Sequence, residues 1–505
     1  MFVIALGPIC CSGRLAAQNR FQTRVGVDDF ERAQSLVETA DGGFVACGLW
    51  GSNGTYSDNI LVFRLSAVGE LVWTVTYGGD MVDHATSVIQ GADGNYYVAG
   101  YTGNFYPDNW DMFLMRVDAS GQVAWVRRYG SVEDEVAMDL VQLADGGFAL
   151  IGNNTAIVRT DPDGTLLWAK RLSGIPLQTA SAGIAVGNDV IITGQSNYNT
   201  TPEDGDVLLA RVRGGGELAW AKTYSMSTDG FDVGIDITAV GDSAFAVVGL
   251  VSGSNGSGHS ALIMLCDTAG NTLWTKALTN TSTLAESVRS RASGLVLAGM
   301  AGYGQEEGVF VMGMPAVGEM QWATKYAATQ YTAMEVTPCS DGGVAIATIY
   351  PGFDAYVLKL DSVGEGLCGQ LPFTTGMLDL APSALDAPQA MTDYPIEALD
   401  FDHVPNTNPF PAEVLCATSV TPQTGASPGE GSHVRVIWAG TELDIQGSDR
   451  LEQGLVSVYS TGCHLLCRTP MVAGHAVVPF NVPPGLYTVQ VAGNGWTEVH
   501  RVATP

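Results

Sequence analysis

An all-β fold is what this sequence predicts: a seven-bladed β-propeller of four-stranded blades, closed by an N-terminal strand and followed by a small C-terminal β-sandwich. Three observations predict it. First, a glycine followed four residues later by a tryptophan recurs at Gly69 and Trp73, Gly121 and Trp125, Gly164 and Trp168, Gly216 and Trp220, Gly270 and Trp274, and Gly318 and Trp322. Asp361 to Gly364 is a seventh copy with Cys368 at the tryptophan position. A spacing of 43 to 54 residues marks one supersecondary unit repeated along the chain. Second, four runs of 4 to 8 residues rich in Val, Ile, Leu and aromatics separate consecutive tryptophans, with turn residues between them. Each unit therefore reads as a four-stranded antiparallel meander. Third, Phe21-Gln22-Thr23-Arg24-Val25-Gly26 aligns without gaps on Trp73-Thr74-Val75-Thr76-Tyr77-Gly78, and the register continues through Ala33 and Ser35. The last unit supplies only three strands, around Met334, Val344 and Tyr356. A spare fourth strand at one end and a missing one at the other predict a closed ring, which leaves fewer exposed sheet edges than a linear stack.

Within each unit the first turn is stereotyped. It reads Asp41-Gly42-Gly43, Asp93-Gly94-Asn95, Asp145-Gly146-Gly147 and Asp341-Gly342-Gly343, as expected where a tight hairpin needs positive φ. Up-and-down topology puts these turns and the third-to-fourth turns on one face. The second-to-third loops and the blade crossings fall on the other, and there the loops are long and irregular: Gly51 to Asp58, Gly103 to Asp111, Asn197 to Asp206 and Ser252 to Ser260. One face reads as scaffold and the other as variable.

Composition narrows the function. A formal charge of -29 with only 23 Lys and Arg opposes binding to nucleic acid or to anionic membranes. Residues 1–17 read as a secretory signal peptide, ending at the small residues Leu15-Ala16-Ala17. No later stretch approaches 18 uninterrupted apolar residues, so no transmembrane helix is expected. Cys47 and Cys266 lie in apolar strand contexts and read as buried thiols, while Cys368 and Cys416 bracket an irregular segment and are the pair expected to form a disulfide.

The propeller is assigned to residues 18–370. Over 371–430 the repeat disappears and prolines accumulate, which predicts an extended connector or linker. Over 431–505 alternating runs return (Val434 to Trp438, Leu455 to Tyr459, Ala476 to Phe480, Leu486 to Val491, Glu498 to Val502), enough for the sandwich.

Two resemblances are carried by these motifs. Over about residues 20 to 370 the repeats resemble the tandem propeller repeats of secreted Bacteroidetes proteins, which pair a D-x-x-G-x-x-x-W-x-x-x-Y/F-G segment with D-x-A-x-S and D-G-G-Y/F strands. The C-terminus resembles the type A sorting domain of the type IX secretion system. Val456-Ser457-Val458-Tyr459-Ser460-Thr461-Gly462 matches V-x-L-Y-D-x-x-G, and Val482 to Val489 matches L-P-x-G-I-Y-x-V. It departs from that family in lacking Y-P-N-P and in carrying Cys463 after the glycine. The resemblance implies recognition by the type IX machinery, export across the outer membrane, and a secreted or surface-attached product.

Catalytic signatures are sparse. The ring carries two histidines, His84 and His259, and neither G-x-S-x-G nor H-E-x-x-H occurs. No catalytic residue is assigned. The tryptophans at 73, 125, 168, 220, 274 and 322 read as blade-docking residues, and no cofactor is predicted; calcium is the one ion the acidic crossings leave open. The candidate binding residues are the crossing acids Glu31, Asp83 and Glu135 and the aromatics Trp50, Tyr56, Phe105, Tyr106 and Trp110, all in or beside the variable loops of blades one to three. They point to a non-enzymatic binding or adhesion module that presents this face to a glycan or surface protein. A carboxylate-dependent glycoside hydrolase or polysaccharide lyase is the second reading, and a structural surface component the third.

Overall fold

The computed structural model describes residues 18–504 apart from 27–29, 52–57, 79–80, 104–108, 175–177, 197–204, 227–229, 253–257, 280–281, 303–307, 328–334, 351–353, 367–369, 372, 374, 387–389, 394–396, 401–403, 407–411, 419–433, 439–441, 448–452, 460–464, 473–474, 480–484 and 494–495. The expected signal peptide, residues 1–17, and Cys368 of the expected disulfide lie outside the described residues.

Alternating apolar runs fold as the repeat predicts. Blades one to six occupy residues 30–78, 83–130, 137–173, 178–225, 232–279 and 283–327, each a meander of four antiparallel strands. Blade seven has three strands from its own repeat, Glu335–Pro338, Val344–Tyr350 and Asp354–Leu360. Its fourth is Arg20–Val25, paired antiparallel with Phe21 opposite Lys359 and Arg24 opposite Tyr356. The ring is thus closed by the N-terminal strand. Across this seam Thr337 Oγ1 donates to the Leu36 carbonyl (2.6 Å) and the Ser340 N–H to Glu38 Oε2 (2.7 Å).

The repeated motif is a docking device between blades. In each third-to-fourth turn the glycine has positive φ, which an L side chain rarely adopts, and at Gly121, Gly164, Gly270, Gly318 and Gly364 the tryptophan of the preceding blade lies over it. A Cβ on Gly121 would stand 3.0 Å from the Trp73 ring, and one on Gly164 2.8 Å from that of Trp125. The motif's tyrosine reaches the same turn: Tyr129 Oη donates to the Gly164 carbonyl (2.6 Å) and Tyr326 Oη to that of Gly364 (2.5 Å). In the closing strand Phe21 takes the tryptophan's place against Gly69, and Thr23 Oγ1 donates to the Gly69 carbonyl (2.7 Å). The six tryptophans are half-buried, each capping the rim of an inter-blade core whose interior is aliphatic, Phe and Tyr.

Most of the stretch expected as a connector, residues 371–430, is integral to the ring through Thr418. After Leu360 the chain turns back and circles the propeller, adding a fifth, outermost strand to every blade in reverse order. Gln370–Leu371 joins blade six, Gly376–Asp379 blade five, Ser383–Asp386 blade four, Ala390–Asp393 blade three, Glu397–Asp400 blade two, Val404–Asn406 blade one and Ala412–Thr418 blade seven. Apolar side chains seat this strap: Phe373 stacks on Phe310 (5.6 Å), and Met377, Leu380 and Met391 pack against the cores beneath. Pro382, Pro388 and Pro395 fall between its short strands. A free outer strand edge invites pairing with other chains, and a strap broken up by proline blunts it.

The C-terminal strands form one seven-stranded antiparallel sheet whose two halves meet at the single pair Val472 opposite His475. Val434–Trp438, Glu442–Gly447 and His475–Pro479 make one half, and Leu465–Val472, Gln453–Tyr459, Gly485–Gly493 and Trp496–Thr504 the other. Two of these seven strands, 442–447 and 465–472, were not expected from the sequence.

Candidate functional site

The long-loop face over blades one and two carries the exposed aromatic site. Trp110 opens the third strand of blade two, where its backbone N–H donates to Asp134 Oδ1 (3.0 Å) and its side chain is left 44% exposed. Its ring lies 5.4 Å from that of Tyr101, the neighbouring strand's outermost aromatic. Tyr101 and His84 are cross-strand partners with rings 4.9 Å apart and Tyr101 Oη 2.5 Å from His84 Nδ1. His84 Nε2 in turn lies 3.0 Å from Asp58 Oδ2. With Asp58 ionised, Nε2–H donates to the carboxylate and Nδ1 accepts the tyrosine O–H, which sets the tautomer. Burial raises the Tyr101 pKa, with the Asp58 charge adding to it and Arg32 opposing. The result is a rigid stack of His84, Tyr101 and Trp110, open on its outer side.

The acids expected beside this platform are turned inward. Glu31, Asp83 and Glu135 occupy the same place in the repeat, at or just before the start of the first strand of blades one, two and three, and are 0%, 2% and 0% exposed. Thr102 Oγ1 donates to Asp83, and the Ser131 N–H (2.9 Å) and hydroxyl donate to Glu135. The backbone N–H groups of Asp83 and Glu135 also tie this position to the carbonyls of Asp58 and Trp110, both at 2.7 Å. Asp232 repeats the arrangement in blade five, accepting from the Met226 N–H (2.6 Å). These carboxylates anchor the crossings instead of facing a ligand, because their position points into the sheet interior. Trp50 is half-buried against the core between blades seven and one. Tyr56, Phe105 and Tyr106 lie outside the described residues. Of the expected residues, Trp110 is the exposed platform; its support Tyr101 was read as an aromatic beside the same loops, whereas His84 and Asp58 were given no role there.

A second cluster lies on the ring axis. The first strands of all seven blades line a cavity of about 640 Å³. In six blades a one-residue shift in pairing, a β-bulge, precedes a recurring position, occupied around the ring by Ser35, Ser87, Asp139, Ala182, Asp236, Ser287 and, in blade seven, Glu335. This position staples neighbouring blades, accepting an N–H from the next one: Val88 to Ser35 Oγ (3.1 Å), Gly183 to Asp139 Oδ2 (3.0 Å), Val288 to Asp236 Oδ2 (2.8 Å) and Val336 to Ser287 Oγ (3.1 Å). Three carboxylates gather around Arg289, which donates to Asp236 Oδ2 (2.6 Å) and pairs with Glu335. Burial pushes Asp139 up to about 6, against the Gly183 N–H and with the Asp236 charge adding. Burial also pushes Glu335 up to about 8, against the pull of Arg289 and with Asp236 and Asp139 adding. The sequence signal for this ring was the A-x-S/D/E step of five repeats, which blade four breaks with Ala182 and blade five with Gly234. Among the described residues, no three His, Cys, Asp or Glu side chains converge as a metal set, and no helix is long and apolar enough to cross a membrane.

No family model matches the chain. The regulatory protein FlaEY of Caulobacter vibrioides is 25% identical over 164 residues, 27% of this chain, which spans 17% of that protein's length. Among solved structures, the WD40 domain of Neurospora crassa Pan2 matches 68% of this chain and 96% of its own at 10% identity and a TM-score of 0.43. A protein of unknown function from Bacteroides caccae matches 55% of this chain and 93% of its own at 11% identity and a TM-score of 0.35. PorZ, described as a surface component of the type IX secretion system of Porphyromonas gingivalis, matches 96% and 100% at 10% identity and a TM-score of 0.18.

Proposed function

We propose that the protein is a non-enzymatic binding module that presents the long-loop face of blades one and two to a glycan. The carrying observation is the half-exposed indole of Trp110, backed by Tyr101 and fixed through His84 and Asp58. Exposed, pre-ordered rings give sugar faces a stacking plane at little entropic cost. The chain's charge of -29 favours neutral or amino sugars over sulfated or uronate-rich ones. A glycan array probed with wild type and Trp110→Ala tests this. The variant should lose at least tenfold in apparent affinity with an unchanged melting temperature, and equal binding overturns the reading. The buried, loop-bound state of Asp83 and Glu135 weighs against a carboxylate hydrolase. Polysaccharide cleavage that is lost in Asp83→Asn or Glu135→Gln would reverse that judgement.

Export by the type IX route is proposed from the C-terminal motifs. The two motif strands lie side by side, with Val458 opposite Val489 and Tyr459 opposite Thr488, and Val456 and Val489 are buried. In a type IX-competent host, removing residues 431–505 should retain the protein in the periplasm. Unchanged surface delivery would sink this proposal.

A further inference from the structure

We propose that the strap is the fastener of the ring: its last strand, Ala412–Thr418, holds the closing strand Arg20–Val25 in place, so the seam opens only after that end has been stripped. Every other fourth strand of the propeller is joined to its third strand through a short turn. The closing strand has no such covalent neighbour, because it comes from the far end of the chain. It is held on one edge by Asp354–Leu360 and on the other by the end of the strap, with Arg24 opposite Glu413 and Thr23 opposite Val414.

The strap's dimensions follow this need. Its strands at the six covalently continuous blades are two to four residues long, whereas the one at the seam has seven. Its route adds a second argument. It starts beside the seam at blade six and passes five, four, three, two and one before reaching seven, so its longest strand docks after a full circuit. The closing strand also carries the docking side chains Phe21 and Thr23 that hold the Gly69 turn, so its release would remove that contact between blades seven and one.

The register supplies a direct test in the full chain. Gln22 is the backbone partner of the native Cys416, and antiparallel partners lie within disulfide reach. With Cys368→Ser removing the expected competing partner, Gln22→Cys should form a disulfide between positions 22 and 416 on mild oxidation, identified by peptide mapping. That link should slow tryptic cleavage after Arg24 at least tenfold relative to the reduced variant. Independently, Val414→Pro should speed the same cleavage at least tenfold, because proline removes an N–H and breaks pairing. Ala384→Pro, at the strap's blade-four strand, should leave it within twofold of wild type. Failure of the 22–416 link to form, or equal acceleration by the two prolines, overturns the proposal.

Discussion

Two glycines with nearly the same backbone conformation measure how much blade docking contributes. Gly94 and Gly164 have φ of 81° and 77°. A Cβ added at Gly94 meets nothing within 4 Å, whereas at Gly164 it would stand 2.8 Å from two ring carbons of Trp125 and 3.1 Å from Arg127 Cγ. Alanine in the left-handed region costs about 1–2 kcal/mol at either site. At Gly164 the indole must also be displaced, and forcing extra volume into a packed contact adds about 1–3 kcal/mol. Gly94→Ala is therefore expected to destabilise by the backbone term alone, and Gly164→Ala by about 2–5 kcal/mol. Chemical denaturation followed by tryptophan fluorescence reads both. If the two variants differ by less than about 0.5 kcal/mol, below the smallest overpacking term, the glycine beneath the indole has no docking role and the account of the repeat fails.

Trp168→Ala should cost about 2–3 kcal/mol, from half the roughly 200 Å² of an indole at about 25 cal/mol/Å², with loss of its Nε1–H bond to the Gly214 carbonyl (3.0 Å); a change under about 1 kcal/mol would mean the ring is not packed, since even half of one core aromatic should exceed that. Asp139 and Glu335, raised to about 6 and about 8, favour the folded state most when protonated, so their contribution is full below the ordinary carboxylate range and falls as pH rises through those values. Melting temperature should accordingly decline between about pH 4 and 8, and Glu335→Gln should flatten the upper part of that decline; an unchanged profile in the variant would show that Glu335 is not the titrating group. Asp41, Asp93, Asp118 and Asp267, held low in their turns by local hydrogen bonds, act in the opposite sense and lose their contribution only as pH falls through their lowered values. Cys47, Cys266 and Cys339 are buried free thiols, Cys266 and Cys339 pushed up to about 12 by burial, so thiol reagents should modify these three only after unfolding; mapping of label onto Cys266 in the folded protein would contradict its burial.

The ring was legible because its parts repeat: each glycine-to-tryptophan step reports one strand junction, and the alignment of Phe21 on Trp73 announced the seam. Other features left weaker traces. The strap's strands of two to four residues are too short to show alternation, and their prolines read as loop chemistry. Glu31, Asp83 and Glu135 looked like exposed crossing acids because sequence position gives no side-chain direction; all three are buried at the entry to the first strand. Asp236 and Glu335 are far from Arg289 in sequence, and only the packing of consecutive blades brings them to it from blades five and seven.

The seam also sets the order in which a growing chain can mature. Arg20–Val25 leaves the ribosome more than three hundred residues ahead of Asp354–Leu360 and later still of Ala412–Thr418. Pairings that distant in sequence form slowly, and waiting strands are prone to misassociation. Blades one to six can form as they emerge, but the circle stays incomplete until translation has passed Leu360, which makes a chain interrupted before that point an open one.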